Sequence, residues 1–225
     1  MVTTSHSPTT TTKRRDPSRY AGIAFASFFI TGLVLWTMPP YTFDAEPEAW
    51  AEEFTSDARR TQISLLAHLF WPAAGALLLV TTARIRSALD AGRVTPSIGG
   101  QVAGWSAVVM AVGIATMAGA LSTSSRITTG GFGDSGFPPD IAGGYALTLL
   151  AATLGNSILW GGAVLMVAVG VASGRRGLLP GWLVWSGYVA APLIIAAWYY
   201  VIPMVLFALW VAIAGWRVQT EPVPE

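Results

Sequence analysis

The stretch GGQVAGWSAVVMAVGIATMAGAL, Gly99 to Leu121, contains no charged residue and no proline. As a helix it is long enough to cross a hydrocarbon core of about 30 Å, where backbone N–H and C=O groups must be satisfied within the segment. Ala103, Ala107, Ala111, Ala115 and Gly119 recur along it every four residues. Small residues at this spacing let helix backbones approach closely, which is how helices associate in lipid. The stretch therefore reads as a transmembrane helix central to a bundle, with facing surfaces expected at Gly22 and Ala26 and at Ala151 and Gly155.

Further charge-free runs lie on either side of it. One extends from Tyr20 to Met38 and closes on Pro39 and Pro40, and another from Thr61 to Ala83. A third, from Ile141 to about Ala172, exceeds the bilayer and is expected to tilt or project. Leu178 to Trp216 is too long for one span at 1.5 Å per residue, so it divides into two short ones turning between Trp198 and Pro203. The expected spans are thus about 20–38, 61–83, 99–121, 141–172, 178–198 and 202–217. The predicted fold is all-α, a polytopic transmembrane helix bundle of six spans in three hairpins. Composition agrees: of 225 residues 53% are hydrophobic and only 11% charged, against roughly a quarter charged in soluble domains.

Lys and Arg are retained in cytoplasmic loops, so their placement tests the span count. Six spans put Lys13, Arg14, Arg15, Arg19, Arg84, Arg86, Arg93, Arg175, Arg176 and Arg217 on one side and leave only Arg59, Arg60 and Arg126 on the other. Five spans would move Arg217 to the wrong side. Both termini are accordingly expected in the cytoplasm and the chain in the cell membrane. Residues 1–19, rich in Ser, Thr and Pro, read as a disordered tail, and 218–225 as a short one. The first apolar run is longer than a signal-peptide h-region and Trp-Thr-Met-Pro-Pro offers no small-x-small site, so it reads as an uncleaved span.

Composition also excludes function classes. With no Cys and two His, the chain lacks the ligands for Cys-bound zinc, iron–sulfur clusters or a His-rich metal site, and no cofactor or metal is expected. A net charge of +1 gives no footprint for nucleic acid. No Asp, Glu, Lys or Arg lies deep in a span, which argues against a proton-coupled carrier, a retinal Schiff base or a voltage sensor.

The loops are read as follows. Glu46 to Arg60 has the Pro and early acids of a helix start, with Trp50 and Phe54 on one face and Glu52, Glu53 and Asp57 away from it. This predicts an interfacial helix lying flat on the outer leaflet. Ser122 to Gly144 is rich in turn formers; its GGFGDSG is not a GxGxxG motif and follows no strand, so it reads as a loop or a lid. Pro138 and Asp140 mark the start of the fourth span.

Polar residues within spans are the default site candidates. They are His68, Thr148, Thr153, Asn156, Ser157, Ser186 and Tyr188. Pro72 cannot donate to the His68 carbonyl, so a kink with a free acceptor is expected there, and Tyr188 with Pro192 repeats the arrangement. If the second, fourth and fifth spans meet, His68, Asn156 and Tyr188 converge in the outer half of the membrane, with Trp71 and Trp160 as walls. That set is the candidate ligand site for a hydrophobic small molecule or lipid; the competing reading is interhelical hydrogen bonding worth about 1 kcal/mol or less. Of the tryptophans, Trp36, Trp50, Trp182, Trp185, Trp198 and Trp216 fall at span ends, as an aromatic belt requires. Trp71, Trp105, Trp160 and Trp210 read as deeper or fit neither position plainly.

Asp57-Ala-Arg-Arg60, Ala83-Arg-Ile-Arg86, Leu154-Gly-Asn156, Leu179-Pro-Gly-Trp-Leu-Val-Trp-Ser-Gly187 and Phe207-Ala-Leu-Trp210 occur in this order. Over about residues 18–217 the chain resembles a broad group of uncharacterised six-span membrane proteins common in actinobacteria, which implies the same topology and brings no activity with it. In length, span number and aromatic content it is also similar to the small integral-membrane terpene cyclases. Those enzymes rely on acids to protonate an olefin or epoxide. That resemblance implies a loop carboxylate as the acid, with Glu48, Glu52 and Asp140 as catalytic candidates, although no acid lies within a span.

Three readings of function follow: a non-catalytic membrane protein that binds a lipid or small molecule or serves as the subunit of a membrane-protein partner, an intramembrane cyclase of a prenylated substrate, and a facilitative transporter with helices broken at Pro72, Pro192 and Pro203.

Overall fold

The structure is a computed structural model and describes residues 17–37, 51–52, 54–130, 139–196 and 201–218. Among them there are six main helices and no strand. α1 spans Ala21–Thr37 behind a 3-10 turn at Pro17–Tyr20, α2 Asp57–Asp90, α3 Ile98–Thr129, α4 Ile141–Gly174, α5 Gly181–Ala196 and α6 Val201–Arg217. The first four, α1 with its leading turn, are long and apolar enough to cross a membrane. α5 and α6, with 16 and 17 residues, reach only ~24 and ~26 Å, at the short end of what a bilayer requires.

α2 and α3 run beyond the apolar limits 61–83 and 99–121 because polar caps, and not hydropathy, decide where a helix stops. Ser56 accepts from the Arg59 N–H at 3.3 Å to open α2. Ser97 accepts from the Gly100 N–H at 3.0 Å to open α3, and Gly130, at φ +68°, closes it. Within α2 the backbone takes one π turn at Leu66–Phe70, directly before Trp71 and Pro72. Pro72 has no N–H to give the His68 carbonyl, and the turn re-registers the ladder so that the Trp71 N–H reaches the carbonyl of Leu66.

Each helix packs on the next in the chain, and α6 returns to α1, closing a ring. At its centre Phe29 meets Phe25, Trp71 and Phe207 at ring separations of 5.4, 5.9 and 6.3 Å. The largest interface is the antiparallel pair α3–α4. Its seam on α3 includes Ser106, Met110, Gly113, Met117 and Ser124, at steps of four and three or their sum. On α4 it meets Gly144, Thr148, Gly155, Ile158 and Gly161. This is the seven-residue repeat of coiled-coil packing. A Cβ added at Gly161 would lie 2.5 Å from Met110 Cγ, and one at Gly144 would collide with Thr128 Oγ1, so both glycines set the closeness of the pair. Beside Gly144, Ser124 Oγ donates to its carbonyl at 2.6 Å and lies 2.8 Å from Thr148 Oγ1.

The seam corrects the expected small-residue stripe. Ala103 and Ala107 are buried, whereas Ala115 and Gly119 at its far end are exposed, with nothing within 4 Å of a Cβ at Gly119. With 3.6 residues per turn, a strict step of four drifts ~40° per repeat and leaves the buried side after two steps.

The outer segment is also corrected. Ala51, Glu52 and Phe54 are helical, with the Thr55 N–H on the Ala51 carbonyl at 2.9 Å, and Ser56 then starts α2 separately. Phe54, 2% exposed, belongs to the core cluster and not to a flat interfacial face. Trp50 and Glu53 lie outside the described residues.

Most of the described basic residues gather at one end of the bundle, with Arg59, Arg60 and Arg126 at the other. Arg84 donates to Ser18 Oγ at 2.9 Å and to the Val218 carbonyl at 3.0 Å, joining the ends of α1, α2 and α6. The Arg19 guanidinium sits 4.0 Å over the Trp216 ring. Arg176 donates to the carbonyls of Leu89 and Ala91, the latter at 2.7 Å.

Candidate functional site

The residues singled out in the spans do not assemble into one site. His68 is exposed on the π turn, its Nε2 3.5 Å from Ser122 Oγ of α3, a long and weak contact. Trp71 is 3% exposed and stands edge-on to Phe29. Asn156 is half-buried on α4, next to Gly155, which faces Met117 of α3. Tyr188 packs its ring on Gly170 and edge-on to Trp185 at 5.8 Å. Gly170 is fourteen residues beyond Asn156, ~21 Å along α4. The expected convergence of His68, Asn156 and Tyr188 is therefore absent: α3 stands between α2 and α4, and Tyr188 meets α4 at a different depth.

Of the acid candidates, Glu52 and Asp140 lie at the opposite end from the arginine cluster. Asp140 caps α4, its Oδ1 accepting from the Gly143 N–H at 2.9 Å. Glu52 is exposed on the turn before α2, and Glu48 lies outside the described residues. Among the described residues no group of three or more His, Asp or Glu is placed to hold a metal.

A cavity lies elsewhere, as a lateral groove of about 730 Å³ between α3, α4 and α5. Its floor is one face of α4: Trp160, Val164, Val167, Val171 and Arg175 recur at steps of three and four. Its walls are Ile98 and Val102 from the start of α3 and Pro192 and Ile195 from the end of α5. Trp160, 59% exposed, closes one end, and it is thus a surface residue and not a wall of an inner cavity. Trp105, 71% exposed, likewise faces outward, leaving Trp71 and Trp210 as the deep pair.

Arg93 and Arg175 line the other end of the groove. Both sit on loops held by neighbouring side chains. Asp90 Oδ1 accepts from the Ser97 N–H at 2.7 Å and from its hydroxyl at 2.8 Å, clasping the loop that carries Arg93, while Arg86 Nε lies 3.5 Å from Asp90 Oδ2. Arg176 anchors the segment after α4 to the last carbonyls of α2, and so fixes the position of Arg175 beside it. Sequence reading counted both groove arginines only as topological charges. The legible signal was the row of β-branched valines ending in an arginine on one face of α4.

The arrangement supplies an apolar slot with a cationic end and no acid among its lining residues; Ser97 lines it too, its hydroxyl donating to Asp90 and accepting from the Gly100 N–H. Compared with known proteins, the chain matches no family model, no curated protein and no solved structure.

Proposed function

We propose that this chain is a multi-pass protein of the cell membrane, its six helices crossing the bilayer with both termini in the cytoplasm, and that it binds a hydrophobic small molecule or lipid in the α3–α4–α5 groove. The clustering of arginines at one bundle end supports the orientation. The observation that carries the binding reading is the groove itself: about 730 Å³, walled by Val, Ile, Pro and Trp, in the size range of small-molecule sites. Asp140 is engaged as a helix cap, and no acid lines the groove, so the groove is read as a binding site and not as a cyclase centre.

The test is mass spectrometry of the apolar molecules retained by the protein purified in nanodiscs, comparing wild type with a groove-filling Val167→Trp variant. The expected result is a retained species that the variant loses. The same retained species in both proteins would overturn the reading.

A further inference from the structure

Resting on the groove reading, we infer that its occupant is an anionic phospholipid of the cytoplasmic leaflet, one acyl chain laid along α4 and the phosphate met by Arg93 and Arg175. Charge complementarity carries this. Neither arginine makes an ion pair among the described residues, and both line the groove. Around them Arg86 and Arg176 add positive charge, while Asp90 is the one carboxylate described in this corner and is already held by Ser97 and Arg86. A zwitterionic lipid gains less there, because its own ammonium group meets the same cationic field. Guanidinium groups suit a phosphate, which accepts paired N–H donors in one plane.

Dimensions agree with one leaflet. Trp160 and Arg175 are fifteen residues apart, ~22 Å along the helix, against ~20–22 Å for half a bilayer with its headgroup layer. With Arg175 at the headgroup level, the floor ends at Trp160 near the midplane. The exposed valines between them offer a ridged apolar surface to a chain.

The experiment is native mass spectrometry of the protein released from vesicles of equal phosphatidylglycerol and phosphatidylcholine with matched acyl chains. Wild type is expected to retain phosphatidylglycerol preferentially. Each arginine near an anionic lipid surface contributes roughly five-fold, so Arg93→Gln and Arg175→Gln each reduce the preference about that much, and the double variant abolishes it. Arg217→Gln, a basic residue outside the groove, leaves it unchanged. Equal retention of both lipids by wild type, or a preference that survives the double variant, overturns the anionic assignment. Val167→Trp separates the two readings: loss of all retained lipid there with no headgroup preference in wild type keeps the groove and rejects the phospholipid charge selection. Circular dichroism and monodispersity of every variant establish that each one is folded.

Discussion

The indole N–H of Trp210 in α6 donates to the main-chain carbonyl of Leu183 in α5 at 2.9 Å, and Gly187 makes the room for it. A Cβ at Gly187 would sit 3.1 Å from Trp210 Nε1 and 3.2 Å from Cζ2. The two stretches Leu179 to Gly187 and Phe207 to Trp210 thus meet at one hydrogen bond. It is what pins two short helices, neither of which has length to spare for spanning alone.

Trp210→Phe removes that donor and is expected to cost about 1 kcal/mol. Gly187→Val, which forces the indole aside, costs more, about 1–3 kcal/mol. Because the residues touch, the double variant is expected to fall short of the sum. Unfolding midpoints in detergent for the two singles and the double check this.

Along α3, Gly113→Leu enlarges a seam residue facing Ser157 and Ile158 of α4 and is expected to destabilise by about 1–3 kcal/mol. Ala115→Leu, four residues past the point where the stripe leaves the buried side, is expected to change stability by less than about 0.5 kcal/mol. Equal costs for the two would restore the straight stripe and reject the heptad seam.

Arg176→Ala leaves the last carbonyls of α2 without their charged donor. The expected loss is about 1.5–3 kcal/mol, with faster amide exchange in the final turn of α2. Arg175→Ala, on an exposed side chain, is expected to leave stability within about 0.5 kcal/mol. Hydrogen exchange by mass spectrometry on both variants separates the two roles.

The chain has no cysteine, so single cysteines report topology without background. Ser87→Cys and Arg93→Cys are expected to react with an impermeant maleimide only after the cells are opened, and Thr129→Cys in intact cells. Reaction of Arg93→Cys from outside would reverse the orientation.

The apolar character and number of the helices were legible because long uncharged runs are a local signal. Helix ends were less legible: Ser56 and Ser97 cap helices whose charged last turns lie beyond any apolar run. The division of 178–217 was also readable, and the structure has α5 end at Ala196 and α6 begin at Val201.

Which faces meet was a different matter. Sequence spacing alone could not say which small residues of α3 face α4: Gly113 does, whereas Ala107 lines a cleft with Arg86 and Asp90 of α2. Only the partner helix, with Gly144 and Gly161 against Thr128 and Met110, decides between them. Nor does residue type place a side chain around or along a ring. His68, Asn156 and Tyr188 are all polar and all within helices, yet they stand on different neighbours at different depths. Arg93 and Arg175, nearly a whole helix pair apart in the chain, share the end of one groove because α3 and α4 run antiparallel. The sequence by itself determined that the helices are apolar, how many there are and which end carries most of the positive charge, because each follows from short-range hydropathy and charge. The tertiary structure alone decided the seam, the filled centre and the groove, because these depend on the rotation and depth of each helix against its neighbour, which many distant residues set together.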